Sequence, residues 1–455
     1  MLQETPSTPA PETETCAISW SSESSSACSP SHFFGRTTAC CCSPGWPTCG
    51  RRTCAGGPAR SFRFSMLVGA VMFIGWLLFD KRKFMRQDLR NYLLLALAVT
   101  VSLSYAIAPL HTPTMTSKLI EFVKVMLITV FTTSQLDSKN RIRIILLIMC
   151  LSFAFYGVKG GIWGIILRDA RIIRGPGGML LDNNDFSLAM VMNIPFLYYL
   201  AFTETNKRFK LFLRSAVVLT VITVVLTGSR GGFLAMATVA FALVMKSRFK
   251  AYAIPGAFCC ILLFLAFIPE HYKERLLSIK TAAKEDSSAV GRLKAWGVAL
   301  EMIKENPILG VGFQNFRAAY RTHDKEDQKS PIRVAHNSYL QVWSETGSFS
   351  LLFFLTALVS SIFLMRKLQR VVRIRDGPPW IFYYASIIEV ALYGFLVGAM
   401  FLNRGHFDFM YQLIALAVAM VPVGLADMHN QRFGKQGRRG PARLVIRRGD
   451  PWLAR

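Results

Sequence analysis

The chain is short of charge. Asp, Glu, Lys and Arg make up 18% of its 455 residues, while hydrophobic residues make up 52%. A soluble protein of this length carries more charge, so a string of soluble domains is excluded. Carboxylates are the scarcer charges, with 27 Asp and Glu against 53 Lys and Arg, and no pair of them has the pattern of a glycosidase acid and nucleophile. Of ten Cys, seven lie before residue 55 at spacings that match no zinc site. Cys150, Cys259 and Cys260 sit in apolar runs as packed or lipid-facing thiols. No His or Cys stands at metal-ligand spacing from another candidate, so neither a metal nor a cofactor is expected. The start of the chain has neither the basic beginning nor the apolar core of a signal peptide. No internal repeat of the kind that builds transporters is evident.

What the chain does have is long apolar segments, roughly 16–23 residues each, enough to cross hydrocarbon as helices. Lipid cannot satisfy open backbone groups, so helices are the default for such runs. They fall near 64–79, 91–108, 119–135, 142–158, 187–203, 211–227, 231–246, 251–268, 349–365, 380–402 and 409–426. The expected fold is all-α, a polytopic membrane helix bundle of about eleven spans, occupying residues 61–426. One long loop, 269–348, interrupts it, and a basic tail follows at 427–455. Residues 1–60 are rich in Ser, Thr, Pro and Cys with no helical period. They read as a disordered or frame-shifted segment standing where membrane helices belong.

The formal net charge of +26 comes with no nucleic-acid-binding motif, and nucleic acid is not an expected partner. The basic residues cluster instead in alternate loops: Lys81 to Arg90, Lys139 to Arg143, Lys207 to Arg214, Lys246 to Lys250, Arg366 to Arg375, and the tail. If every segment spans, all of these lie on one side, which the positive-inside rule makes cytoplasmic. The long loop then lies on the opposite, periplasmic face of a bacterial inner membrane.

That outer face should be poor in Arg near membrane ends, yet it carries several. Arg171 and Arg174 precede Gly175-Pro176-Gly177-Gly178, Arg230 sits in the turn Thr227-Gly228-Ser229-Arg230-Gly231-Gly232, and Arg404 lies beside His406 and Asp408. Guanidinium groups fork onto phosphate oxygens, so a lipid-linked pyrophosphate is a fitting partner. Arginines placed there also snorkel to lipid headgroups or pair with Asp182, Asp185 or Asp408.

Within the long loop, residues 291–305 place Leu293, Trp296, Val298, Ala299, Met302 and Ile303 at near-helical spacing, which predicts an amphipathic helix. Asn306-Pro307 ends it, Gly310-Val311-Gly312 makes a tight turn, and 313–330 is polar. His336 stands at the mouth of the next apolar segment, and its ordinary titration range suits a general base near neutral pH.

The motifs Thr227 to Gly232, Gly291-Arg292 with Trp296, Glu301 to Gly312 with Asn315-Phe316, and Ala335 to Leu340 with Glu345-Thr346-Gly347 resemble, in order and spacing, the O-antigen ligase and Wzy-type polymerase superfamily. The upstream stretch from Arg174 to Phe186, with Arg63-Phe64-Ser65, resembles O-glycosylation ligases associated with exosortase A systems. Those proteins begin with further apolar sequence where this chain has residues 1–60. The resemblance implies transfer of a glycan from undecaprenyl pyrophosphate to an acceptor hydroxyl, on protein or lipid, without metal or cofactor. It implies His336 as the base, with Arg230 and Arg292 holding the pyrophosphate; Arg174 and Arg404 join them as candidates from their place in short turns on the same face. Two other readings remain open: a polymerase whose acceptor is a second lipid-linked glycan, and a transporter or lipid flippase, for which Lys124 and Glu389 are the apparent mid-span charges.

Overall fold

Helices begin where the sequence offers caps. In the computed structural model, residues 74, 76, 78, 84–167, 171–177, 180–247, 287–324 and 331–434 are described. They form α1 (Leu89–Ala106), α2 (Pro113–Gln135), α3 (Lys139–Ile166), a two-stranded antiparallel hairpin of β1 (Arg174–Gly177) and β2 (Leu180–Asp182), α4 (Asn183–Thr203), α5 (Lys207–Leu226) and α6 (Arg230–Lys246). Then come α7 (Ser287–Glu305), α8 (Phe316–His323), α9 (Ser338–Ile374), α10 (Pro379–Gly398) with a 3-10 turn at Ala399–Phe401, and α11 (Asp408–Gly434). Asp88, Thr112, Ser138, Asp182, Asn206, Ser229 and Asn337 precede seven of these helices, and each side chain accepts a backbone N–H of the first turn. Such residues satisfy donors that the helix itself leaves open.

The protein is an all-α, multi-pass membrane protein. Among the described residues seven helices are long and apolar enough to cross a membrane: α1, α3, α4, α5, α9, α10 and α11. Two more of the predicted segments are also helical. α2, 23 residues long, carries Lys118, Glu121 and Lys124 in its first half, and α6 has only 17 residues because it starts directly from the turn at Ser229. The segments 64–79, apart from helical residues 74, 76 and 78, and 251–268 lie outside the described residues, as do 1–60 and the tail beyond 434.

The bundle has a centre and a rim. In α4, 83% of the apolar window is buried, and in α10 and α11 72%, against 28% in α1 and α3. Ile144, Ile148 and Phe155 on α3, Val218 on α5 and Phe363 on α9 are exposed, as side chains facing lipid tails would be. α3 and α5 approach closely because α3 presents Gly157, Gly160, Gly161 and Gly164 to Leu219, Thr220, Thr223 and Leu226. Small residues at such a seam let backbones meet where no hydrophobic drive favours association, and the Thr223 hydroxyl donates 2.6 Å to the Gly157 carbonyl across it. The mid-span carboxylate Glu389 is not isolated. Lys246 Nζ (2.6 Å), Gln369 Nε2 (2.6 Å) and the Tyr393 hydroxyl (2.7 Å) all donate to it, joining the ends of α6 and α9 to α10.

The described part of the long loop builds its own small core. Ala295, Val298, Ala299 and Met302 of α7 pack with Val311, Phe316, Tyr320 and Ala335. The predicted amphipathic helix is present, but its apolar face is narrower than the sequence indicates: Leu293 is 63% exposed. The polar stretch after 313 contains α8, a short helix held by Phe316 and Tyr320. The motif 306–312 lies against a break in α9. Val311 N donates to Ser344 O (2.9 Å), Gly312 N to Glu345 O (3.0 Å) and Ser348 N to Pro307 O (2.9 Å). Gly347 makes the break, with φ 82° and ψ 178°, a region open essentially to glycine alone. A Cβ there would strike the Ile308 carbonyl, and one on Gly310 would strike the Glu345 backbone.

Candidate active site at one end of the bundle

His336 closes the extended segment before α9. Its backbone lies in the left-handed region at φ 46°, a conformation that costs a non-glycine residue about 1–2 kcal/mol. Neighbours hold it on both sides. Before it, Trp296 Nε1 of α7 donates 2.7 Å to the Ala335 carbonyl. After it, Asn337 Oδ1 caps α9 by accepting from Tyr339 N (3.0 Å) and Leu340 N (3.2 Å).

An open cavity of about 320 Å³ lies beside this residue. Arg292 from the first turns of α7, Arg317 from α8, and Arg333 and His336 from the segment before α9 all line it, with Ile332 and Val334. The Arg333 guanidinium lies over Gly291, where any side chain would displace it. Burial, and next the Arg292 charge, hold the His336 imidazole below its ordinary titration range, while Asp182 pulls the other way. Its imidazole is therefore neutral near pH 7 and able to accept a proton.

Of the five residues singled out from the sequence, Arg292 and His336 share the cavity. Arg174 is exposed on β1, with Asp182 as its partner in the hairpin register, so it stands beside the carboxylate that acts on His336. Arg404 lies in the turn before α11. Its guanidinium pairs with Asp185 of α4, and its backbone N–H donates 2.7 Å to the Ser338 hydroxyl, which donates 2.7 Å to Leu402 O. That turn is thus tied to the start of α9, two residues from His336. Arg230 is the first residue of α6, half-buried and outside the cavity lining. Its turn is fastened to the same end of the bundle, since Asn183 Nδ2 donates 2.9 Å to Thr227 O and Ile172 N donates 2.9 Å to Leu226 O. Gly231 packs on Phe401 and Gly232 on Ser187.

His406, beside Arg404, has a different environment. Its ring meets Phe122 and Phe313 edge-on at 4.8 Å each, and burial, aided by Arg404, lowers its pKa to about 4. Among the described residues no three His, Cys, Asp or Glu side chains gather as a metal site needs.

Sequence reasoning passed over Arg317 and Arg333. Arg333 stands three residues before His336, so proximity was a usable signal. Nothing in the stretch around Arg317 marked it, because α8 only acquires a direction by packing Phe316 and Tyr320 inward.

The basic clusters lie at the other ends of these helices. Lys139 and Lys207 open α3 and α5, whose far ends reach the hairpin and the Arg230 turn. Lys246 and Arg373 close α6 and α9, whose first residues are Arg230 and Ser338.

Residues 59–167 match a family of unknown function, and no curated protein matches the chain. Residues 215–355, which run from α5 across the turn at Arg230, the long loop and His336 into α9, match the O-antigen ligase family. Residues 215–355 thus match an O-antigen ligase domain, which supports the likeness to O-antigen ligases and Wzy-type polymerases.

Proposed function

We propose that this membrane protein transfers a glycan from undecaprenyl pyrophosphate to an acceptor hydroxyl on the periplasmic face of a bacterial inner membrane. The carrying observation is that a neutral imidazole, His336, and a guanidinium, Arg292, line one open cavity at the end of the bundle opposite its basic clusters. By the positive-inside rule that basic end faces the cytoplasm, which puts the cavity outside.

The chemistry needs little else. His336 accepts the proton of the acceptor hydroxyl as its oxygen attacks the anomeric carbon. The bond from that carbon to the pyrophosphate oxygen breaks and the configuration inverts. Undecaprenyl pyrophosphate leaves with its charge met by Arg292 and Arg230, with Arg174 nearby, and prearranged positive charge of this kind stabilises a developing anion strongly. Arg404, held to Asp185, would serve the pyrophosphate chiefly by fixing the turn against α9.

The transporter reading has less support, because Glu389 is tied into a local network with Lys246, Gln369 and Tyr393. A polymerase would use the same site with a lipid-linked glycan as the acceptor.

The test is transfer by purified, reconstituted protein from a labelled undecaprenyl-pyrophosphate-linked glycan to candidate acceptors, including protein Ser and Thr. His336→Ala should slow transfer by roughly 100- to 10,000-fold, and Arg230→Ala should abolish it, both with membrane insertion intact. Full transfer by His336→Ala would overturn the assignment of the base.

A further inference from the structure

Helix α8 begins without a cap from its own sequence. Asn315 stands at its N-cap position but makes no side-chain cap bond. Its Nδ2 donates instead to the Leu110 carbonyl at 3.2 Å. Gln314, just before it, holds a left-handed backbone at φ 63°. The first N–H groups of a helix need acceptors from outside it, and here the acceptor comes from α9. Glu345 Oε2 accepts from Gln314 N at 3.2 Å, and the Phe316 N–H donates to the same carboxylate. Gln341 Nε2 donates to Oε1 at 3.4 Å. A carboxylate at a helix N-terminus is also favoured by the helix dipole.

Glu345 is 3% exposed. Burying a carboxylate costs free energy that an apolar side chain in the same place avoids. What the carboxylate gains is a fixed joint between the loop and α9. The main chain reinforces it, since the Glu345 carbonyl accepts from Gly312 N at 3.0 Å and from the Ser104 hydroxyl at 2.8 Å.

The joint lies across from the candidate base. Gly347 cuts off a short first piece of α9, with Glu345 near one end and His336 just beyond the other. α8 meets both ends. Its start is fastened to Glu345, while Phe316 and Tyr320 pack with Ala335, next to His336. Arg317, the residue after Phe316, lines the same cavity as His336.

We propose that Glu345 is a positioning residue for transfer: through the Gln314 and Phe316 amides it fixes where α8, and Arg317 with it, stands relative to His336. This rests on the reading of the cavity as a glycan-transfer site. Its test uses the full-length protein in nanodiscs with Glu345→Gln, which keeps the shape and removes one acceptor oxygen, and has two arms. The first is backbone amide exchange and needs no substrate. Exchange at residues 314–316 should quicken at least tenfold, while α7 and α10 keep wild-type protection, which also reports that the variant is folded. The second is transfer from an undecaprenyl-pyrophosphate-linked glucose disaccharide to an acceptor that the wild type uses. A displacement on the order of 1 Å lowers kcat by up to about 100-fold, so kcat should fall roughly 10- to 100-fold with KM for the donor changed less than about threefold. Arg317→Ala should slow transfer too, and adding Glu345→Gln to it should cost nothing more. The acid limb of the pH profile should stay in place, because Arg292 and Asp182, which act on His336, are untouched.

Unchanged exchange at 314–316 would overturn the proposal, as would wild-type kcat in Glu345→Gln or losses that add in the double variant. Loss of protection spread over α7 and α10 would overturn it by making Glu345 a general part of the fold, and a moved acid limb by making it act on the base itself. A wild type that transfers to no acceptor defeats the glycan-transfer reading, whereas a wild type that transfers alongside an equally active Glu345→Gln defeats the positioning role alone.

Discussion

Trp296→Phe should slow catalysis while leaving substrate binding nearly intact. The substitution keeps an aromatic ring on α7 and removes one hydrogen bond, the 2.7 Å contact from Nε1 to the Ala335 carbonyl. Such a bond contributes about 0.5–1.5 kcal/mol net, and a buried carbonyl left without a partner adds about 1–3 kcal/mol. Ala335 is buried at 1% exposure, so the second figure applies. The next residue, His336, holds a left-handed backbone that costs about 1–2 kcal/mol. The bond lost and the strain retained are of equal size, so the segment gains freedom to relax and swing the imidazole. A loss of about 1.4 kcal/mol is tenfold in rate, and a displacement of about 1 Å at the reacting group reaches 100-fold. The expected result is therefore a kcat lower by roughly 10- to 100-fold, with KM for the lipid-linked donor nearly unchanged because Arg292 stays in place. The assay is a double-mutant cycle on reconstituted protein. If Trp296 acts through His336, adding Trp296→Phe to His336→Ala should slow transfer no further. A loss that simply adds to that of His336→Ala, or a Trp296→Phe protein with wild-type kcat, would refute this reasoning.

Two further perturbations have a clear direction. Asp182 raises the His336 pKa, because a nearby carboxylate favours the imidazolium. Asp182→Asn removes that charge but keeps a cap on Asn184 N, now accepted at 2.8 Å. The base then protonates only at lower pH, so the acid limb of the kcat/KM profile should move down, and a shift upward or none would count against Asp182 facing His336. Gly347→Ala should destabilise the protein by about 1–3 kcal/mol, read as a lower Tm in detergent, since its φ and ψ exclude a side chain and a Cβ would strike Ile308. An unchanged Tm would show that the break in α9 can move elsewhere.

Much of this architecture was legible from local features. Apolar runs of spanning length located the helices, because that signal depends on neighbours in the chain, whereas the caps at Ser138, Asn206 and Ser229 emerged only with the structure. The role of the motif glycines was not legible. Gly310 and Gly312 read in the sequence as one tight turn and Gly347 as part of a separate motif, yet the three form one seam where the loop crosses α9. The same holds for Arg404, which reads equally as a ligand for phosphate or a partner for a carboxylate. Only the approach of α4 to the turn before α11 sets it against Asp185.

The sequence by itself determined that the protein is a membrane helix bundle, that one face carries the unusual arginines, and that a lone histidine stands at the mouth of a span. Those facts follow from residue type and order, because hydrophobic length and charge placement act along the chain. Tertiary structure alone decided which arginines meet that histidine. Arg292, Arg317 and Arg333 come from three segments and converge because α7 and α8 bury their apolar faces together against Ala335. Arg230 reaches the same end of the bundle through a different turn. A cavity of this kind has no counterpart in linear spacing, because it is defined by side chains that packing brings together.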